Sequence, residues 1–121
     1  MVLLTLHFSE PIKPQINIRG DPKSVDAKNR NPITVNIGDN VTALTNTRIL
    51  IHCDASGVPT PAITWTKDGQ TTFSDQHYKV LDEGSLLIIQ GVEESANRYT
   101  CTANSTSGQD SASSMVGIFG R

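Results

Sequence analysis

The sequence predicts an all-β fold, a β-sandwich. Three observations carry that expectation. From residue 31 onward, apolar and polar residues alternate in short runs, the period of a strand with one buried face. Those runs are punctuated every few residues by Gly, Pro, Asn and Asp in turn-forming combinations. Ser, Thr, Asn and Gly are plentiful and no stretch has a helical period. The result is about seven short strands at close spacing, a sandwich pattern.

The elements follow in order. Residues 1–30 have no steady period and carry Pro11, Pro14, Gly20, Pro22 and the polar run DAKNRN, so they read as a partly disordered linker or tail with one short strand at Gln15–Ile18. The opening MVLLTLHF is apolar but short, with neither a basic leading region nor a clean cleavage site. It fits a piece of a larger chain better than a complete signal peptide. Residues 31–119 form the expected domain. ITVNIG (33–38) alternates up to a glycine, and RILIHC (48–53) places Ile49, Ile51 and Cys53 on one face. DASGVPTP (54–61) reads as a loop, and AITWT (62–66) aligns Ile63 with Trp65. KDGQ (67–70) is a turn, because Asp-Gly suits positive backbone angles. YKVL (78–81) and LLII (86–89) are strands separated by a turn at EGS. RYTCTA (98–103) aligns Tyr99, Cys101 and Ala103. After a hairpin turn at Ser107-Gly108, the last strand points Ala112, Ser114, Val116 and Ile118 inward.

The totals exclude several functions. At 121 residues the chain suits one domain, small enough to gain from a covalent brace. A net charge of -2 offers no basic footprint for nucleic acid. No apolar run of about 18 residues is present for membrane insertion.

The two cysteines have a specific setting. Trp65 lies 12 residues after Cys53, and Tyr99 lies 2 before Cys101. The runs CDASGVPTPAITWTKDG (53–69), GSLLI (84–88) and YTCTANSTSG (99–108) together resemble an immunoglobulin-like domain of the I set, C2-type, over about residues 31 to 119. The longer approach GDNVTALTNTRILIHC (38–53) is similar to domains in secreted matrix proteins of the papilin and ADAMTS-like group. The resemblance implies a two-sheet antiparallel β-sandwich with Greek-key connections and a Cys53–Cys101 disulfide across its core, with Trp65 packed on it and the Tyr99 hydroxyl turned back to the backbone of the preceding corner. Leu86 and Ile88 join them as expected core. Two positions depart from the family pattern, Ser95 for its usual Asp and Asn97 for its usual Gly. Asn tolerates a left-handed backbone, so a turn at Asn97 remains feasible.

No catalytic, metal or cofactor site is expected. Alternation turns His52 away from Cys53, no His is near Cys101 in sequence, and no C-x-x-C or H-x-x-x-H spacing occurs. Asn40-Val-Thr and Asn104-Ser-Thr fit the N-glycosylation pattern. Arg19-Gly20-Asp21, in the supposed tail, is the tripeptide integrin ligands often carry. With Leu86 and Ile88 inward, Leu50, Leu87 and Ile89 fall outward. They form a candidate partner or homodimer surface, unless the N-terminal apolar segment covers them or they are merely scattered. On the other sheet, Thr64, Thr66, Thr100, Thr102, Gln109, Ser111 and Ser113 make an uncharged polar face.

The resemblance thus implies a non-enzymatic extracellular module, secreted or in an ectodomain. Its expected role is binding a protein partner in matrix, adhesion or cell-surface recognition. A structural spacer in a multidomain protein and an integrin-binding tail are the alternatives. An intracellular domain with reduced cysteines fits the two sequons less well.

Overall fold

The computed structural model describes residues 10–20, 24–26, 31–71, 77–81, 86–89 and 93–120. Every regular element among them is a strand. In chain order these are β1 (Ile12–Ile16), β2 (Ser24–Asp26), β3 (Ile33–Asn36), β4 (Asn40–Leu44), β5 (Ile49–His52), β6 (Ala55–Val58), β7 (Ala62–Lys67), β8 (Gln70–Thr71), β9 (Tyr78–Val80), β10 (Leu86–Ile89), β11 (Ser95–Ser105) and β12 (Gly108–Phe119). One sheet has the order β3-β5-β10-β9, and the facing sheet has the order β2-β4-β12-β11-β7-β8. The pair β1-β6 stands apart as a two-stranded sheet.

Alternation decides what each strand buries. Ile49 and Ile51 face inward from β5, Trp65 from β7, Tyr99, Cys101 and Ala103 from β11, and Val116 and Ile118 from β12, all within one apolar cluster. Each fully buried Ile or Val contributes roughly 1.5–3 kcal/mol relative to exposure. The disulfide Cys53–Cys101 joins the two sheets through this cluster. Trp65 pairs directly with Cys101 across the β7–β11 ladder, which holds the indole beside the bridge.

The turns carry the chemistry expected of them. Asp68 and Gly69 both have positive φ, 51° and 84°, and close the tight β7–β8 hairpin. Asp68 also receives the Arg98 N–H on its carboxylate and donates its own N–H to the Arg98 carbonyl. Between β3 and β4 the chain changes sheets within Ile37–Asp39. There Asp39 accepts the Asn36 N–H and Gly38 adopts φ 109°.

Four readings change. The stretch taken as a tail carries β1 and β2: β1 pairs antiparallel with β6, and β2 pairs parallel with β4. Correspondingly, part of the expected loop at 54–61 is strand β6.

The face of β10 is the reverse of the expected one. Leu87 pairs with Ile51 and Ile89 with Ile49, so Leu87 and Ile89 are fully buried in the core, while Leu86 and Ile88 fall on the opposite face beside His52 and Leu50. Four consecutive apolar residues give alternation no contrast, so sequence alone leaves this parity unset.

Asn97 lies in extended β11 opposite Val116, and Ser95 opposite Ile118. The backbone needs no left-handed turn at Asn97, because β11 simply starts earlier.

Candidate interaction surfaces

The chemistry of the centre is structural. Tyr99 is buried, and its hydroxyl meets the Tyr78 hydroxyl at 3.4 Å. The Asn97 side chain also hydrogen-bonds to Tyr99. Burial first, then the Tyr78 hydroxyl, pushes the Tyr99 phenol well above its ordinary pKa, so it stays neutral. Lys67 lies over the Tyr78 ring, 5.2 Å from its centroid, closing that end of the cluster. Among the described residues, no group of three or more His, Cys, Asp or Glu side chains is arranged to hold a metal ion.

A strap of residues 12–20 crosses one pole of the sandwich. Ile16 plugs into the core from β1. Its N–H donates to the Asp110 carboxylate, and the Arg19 guanidinium pairs with the same oxygen at 2.6 Å while also donating to the Ser111 carbonyl. Asn17 donates its N–H to the Asp54 carbonyl and its amide to the Asp54 carboxylate, and accepts from Ser56. Ser107 in the β11–β12 turn donates to the Ile12 carbonyl.

Gly20 then donates to the Ile37 carbonyl. It packs so closely that a Cβ there would overlap the Asp39 carboxylate and lie 2.6 Å from the Asp39 nitrogen. The Arg19-Gly20 part of the tripeptide is therefore docked, not displayed on a loose tail. Asp21 lies outside the described residues.

The outer face of the four-stranded sheet presents Leu50 and Ile88, cross-strand neighbours, in place of the expected Leu50, Leu87 and Ile89. Ile88 is only 8% exposed. The apolar surface expected here for a partner or second copy is thus largely absent, because two of its three members are core.

The outer face of the six-stranded sheet is richer. Register aligns Thr71, Thr66, Thr100 and Ser113 in one row across four strands, and Thr64, Thr102 and Ser111 in the next. The Thr100 and Ser113 hydroxyls are 2.7 Å apart. Further along the same face stand the exposed Met115 and Phe119. Sequence reading missed these two as a surface, although placing Ser114, Val116 and Ile118 inward already turns them outward. It also missed Asp110 and Asp54, whose partners lie in a segment taken for a tail.

The sequon residue Asn104 is exposed at the end of β11, opposite Ala62 and Gln109. Asn40 begins β4, and its side-chain carbonyl accepts the Met115 N–H.

Comparison with known proteins agrees with this geometry. The family model described as Immunoglobulin I-set domain matches residues 32–118. Hemicentin-1 of Mus musculus is 34% identical over 99 residues, covering 78% of this chain and 2% of that protein. ADAMTS-like protein 1 of Mus musculus is 32% identical over 90 residues, covering 74% of this chain and 5% of that protein. The chain thus spans a small fraction of either relative. The solved structure of titin domain M7 superposes with a TM-score of 0.67 at 25% identity, covering 92% of this chain and 98% of that one.

Proposed function

The chain belongs to the immunoglobulin I-set family, and we propose that it serves a larger extracellular protein as a module that binds a protein partner. Family membership makes it a binding or structural module, and we assign it no catalytic role. The extracellular setting is supported by the Cys53–Cys101 bridge, since disulfides persist in oxidising compartments. It is supported too by the resemblance to matrix proteins of the ADAMTS-like group.

The observation that carries the binding reading is the registered hydroxyl face of Thr64, Thr66, Thr71, Thr100, Thr102, Ser111 and Ser113. Its two rows are uncharged and rich in donors and acceptors, so a polar protein surface can dock on them without stripping water from a charge. The test is capture of cell-surface and matrix proteins by the purified domain and by its Thr102→Arg variant. We expect a specific partner that the variant loses while its melting temperature stays unchanged. A variant that captures the same partners equally well refutes this face as the site.

A spacer role is the second reading, favoured by the small share of each relative that the chain covers. A spacer tolerates every surface substitution that leaves the fold intact. Against an integrin-binding role stands Arg19, whose guanidinium is engaged by Asp110 and Ser111.

A further inference from the structure

We infer that Asn104 is an N-glycosylation site and that its glycan, rooted on the outer face of the six-stranded sheet, closes one end of the hydroxyl face to a protein partner, a proposal that rests on the extracellular setting and the docking face proposed above.

Alternation fixes which way Asn104 points. In β11, Tyr99, Cys101 and Ala103 are buried in the core, so Thr100, Thr102 and Asn104 share the outer face. Register adds a third row to the two hydroxyl rows: Ala62, Asn104 and Gln109 stand side by side next to Thr64, Thr102 and Ser111. All three members of that row are exposed. The neighbour on β7, Ala62, ends in a methyl group, which leaves room beside the amide.

The acceptor pattern is Asn104-Ser105-Thr106, in which the amide and the Thr hydroxyl must both be accessible. The two serines, rather than these residues, hold the turn. The Ser105 and Ser107 hydroxyls are 2.8 Å apart, the Ser105 hydroxyl accepts the Ser107 N–H, and the Ser107 hydroxyl donates to the Ile12 carbonyl. Asn104 and Thr106 are exposed, and among the described residues no hydrogen bond ties down either side chain. The other sequon differs, because the Asn40 side-chain carbonyl accepts the Met115 N–H.

Thr102 lies two residues from Asn104 on the same strand and face, about 7 Å away. An N-linked glycan is bulky and hydrated, and the space above the Thr64–Thr102–Ser111 row lies within the sweep of its branches. The row of Thr71, Thr66, Thr100 and Ser113 lies one step further from the root. A partner of the glycosylated chain therefore docks from that far row, whereas the bare chain offers both.

The experiment uses the full chain, secreted from eukaryotic cells behind a signal peptide, with Thr42→Ala so that Asn104 heads its one remaining sequon. Thr102→Cys places a thiol in the near row, and Thr71→Cys, in a separate chain, places one in the far row. Each is made with and without Thr106→Ala, which removes the acceptor pattern and keeps Asn104. The probe is a maleimide bearing a protein-sized polyethylene glycol, with N-ethylmaleimide as the small control. We expect a glycan mass on the peptide holding Asn104. The bulky probe should label Thr102→Cys slower by roughly fivefold or more in the glycosylated chain than in its Thr106→Ala form. The small maleimide should label both alike, and Thr71→Cys should react equally with either probe. Trimming to the first sugar with endoglycosidase H, on chains kept in the high-mannose form, should restore the rate. An Asn104 left unmodified overturns the proposal, as does equal labelling of Thr102→Cys by the bulky probe in the two forms. Either failure leaves the hydroxyl face to its own capture test. A failed capture beside a clear labelling difference removes the partner and leaves the glycan in place.

Discussion

The centre of the sandwich and the strap at its pole are both ordered, but different physics holds them. The centre is an apolar cluster in which Ile37, Ile49, Ile51, Leu87, Ile89, Tyr99 and Val116 are fully buried around a covalent bridge. The strap contributes Ile16 to that cluster and otherwise relies on polar contacts to Asp54, Asp110, Ser111 and Ile37. Buried apolar area and a cross-link act over the whole domain, whereas exposed ion pairs and hydrogen bonds are worth little each and open locally. The chain should therefore have a sandwich that unfolds as one unit and a strap that can let go first.

The largest expected effect tests the centre. Leu87→Asp places a charge where no water reaches, and we expect a loss of about 4 kcal/mol or more, so that the domain fails to fold. Leu86→Asp, one residue before it on the opposite face and only half-buried, should cost far less and leave a cooperative melt. Equal damage from the two would contradict the parity of β10. Next comes the bridge. Replacing Cys53 and Cys101 together with Ala should cost roughly 4 kcal/mol in the chain-entropy model, for a separation of 48 residues. Urea unfolding of that variant beside the wild type measures it. A free-thiol count on the unfolded, unreduced wild type should find none.

The same contrast explains what the sequence could disclose. The centre was legible because its signals are local or nearly so: alternation at Ile49–Cys53, Tyr99–Ala103 and Ser114–Ile118, the Asp68-Gly69 turn, and the Cys–Trp–Tyr spacing that the I-set resemblance reads as a bridge. Where alternation had no contrast, at Leu86–Ile89, the face came out reversed, and only pairing with Ile49 and Ile51 decides it. The strap was illegible for another reason. Its prolines break any period, and its partners Asp54 and Asp110 lie far along the chain, so nothing near Ile12–Gly20 marks it as docked. The surfaces divide likewise. The Thr and Ser face follows from the period of each strand, but its rows need the cross-strand register.

Weaker effects sharpen the comparison at the strap. Gly20→Val forces a side chain into the Asp39 carboxylate and backbone, against the turn where Gly38 needs its positive φ. Such overpacking costs typically about 1–3 kcal/mol, and here the strap can escape it by undocking. Hydrogen exchange should speed up at the Asn17 amide, which donates to the Asp54 carbonyl, with little change at amides of β11. A uniform rise across both would mean that strap and sandwich open together, and the distinction drawn here would fail.

The smallest effect isolates the charge in the latch. Burial disfavours the Asp110 carboxylate, but the Ile16 N–H and the Arg19 guanidinium outweigh it, so its pKa is held below the ordinary carboxylate value. A group depressed in the folded state stabilises above its unfolded pKa, about 3.9 for Asp, and that contribution fades as pH falls through the folded value. Asp110→Asn keeps an oxygen for the Ile16 N–H and removes only the charge. With Arg19 partly exposed, the cost near neutral pH should be at most about 1 kcal/mol. The melting difference between wild type and variant should hold steady from pH 7 to 5 and shrink toward zero below about pH 4. A difference that persisted unchanged to pH 2 would mean the ion pair contributes nothing and that the strap is held by Ile16 and its backbone bonds alone.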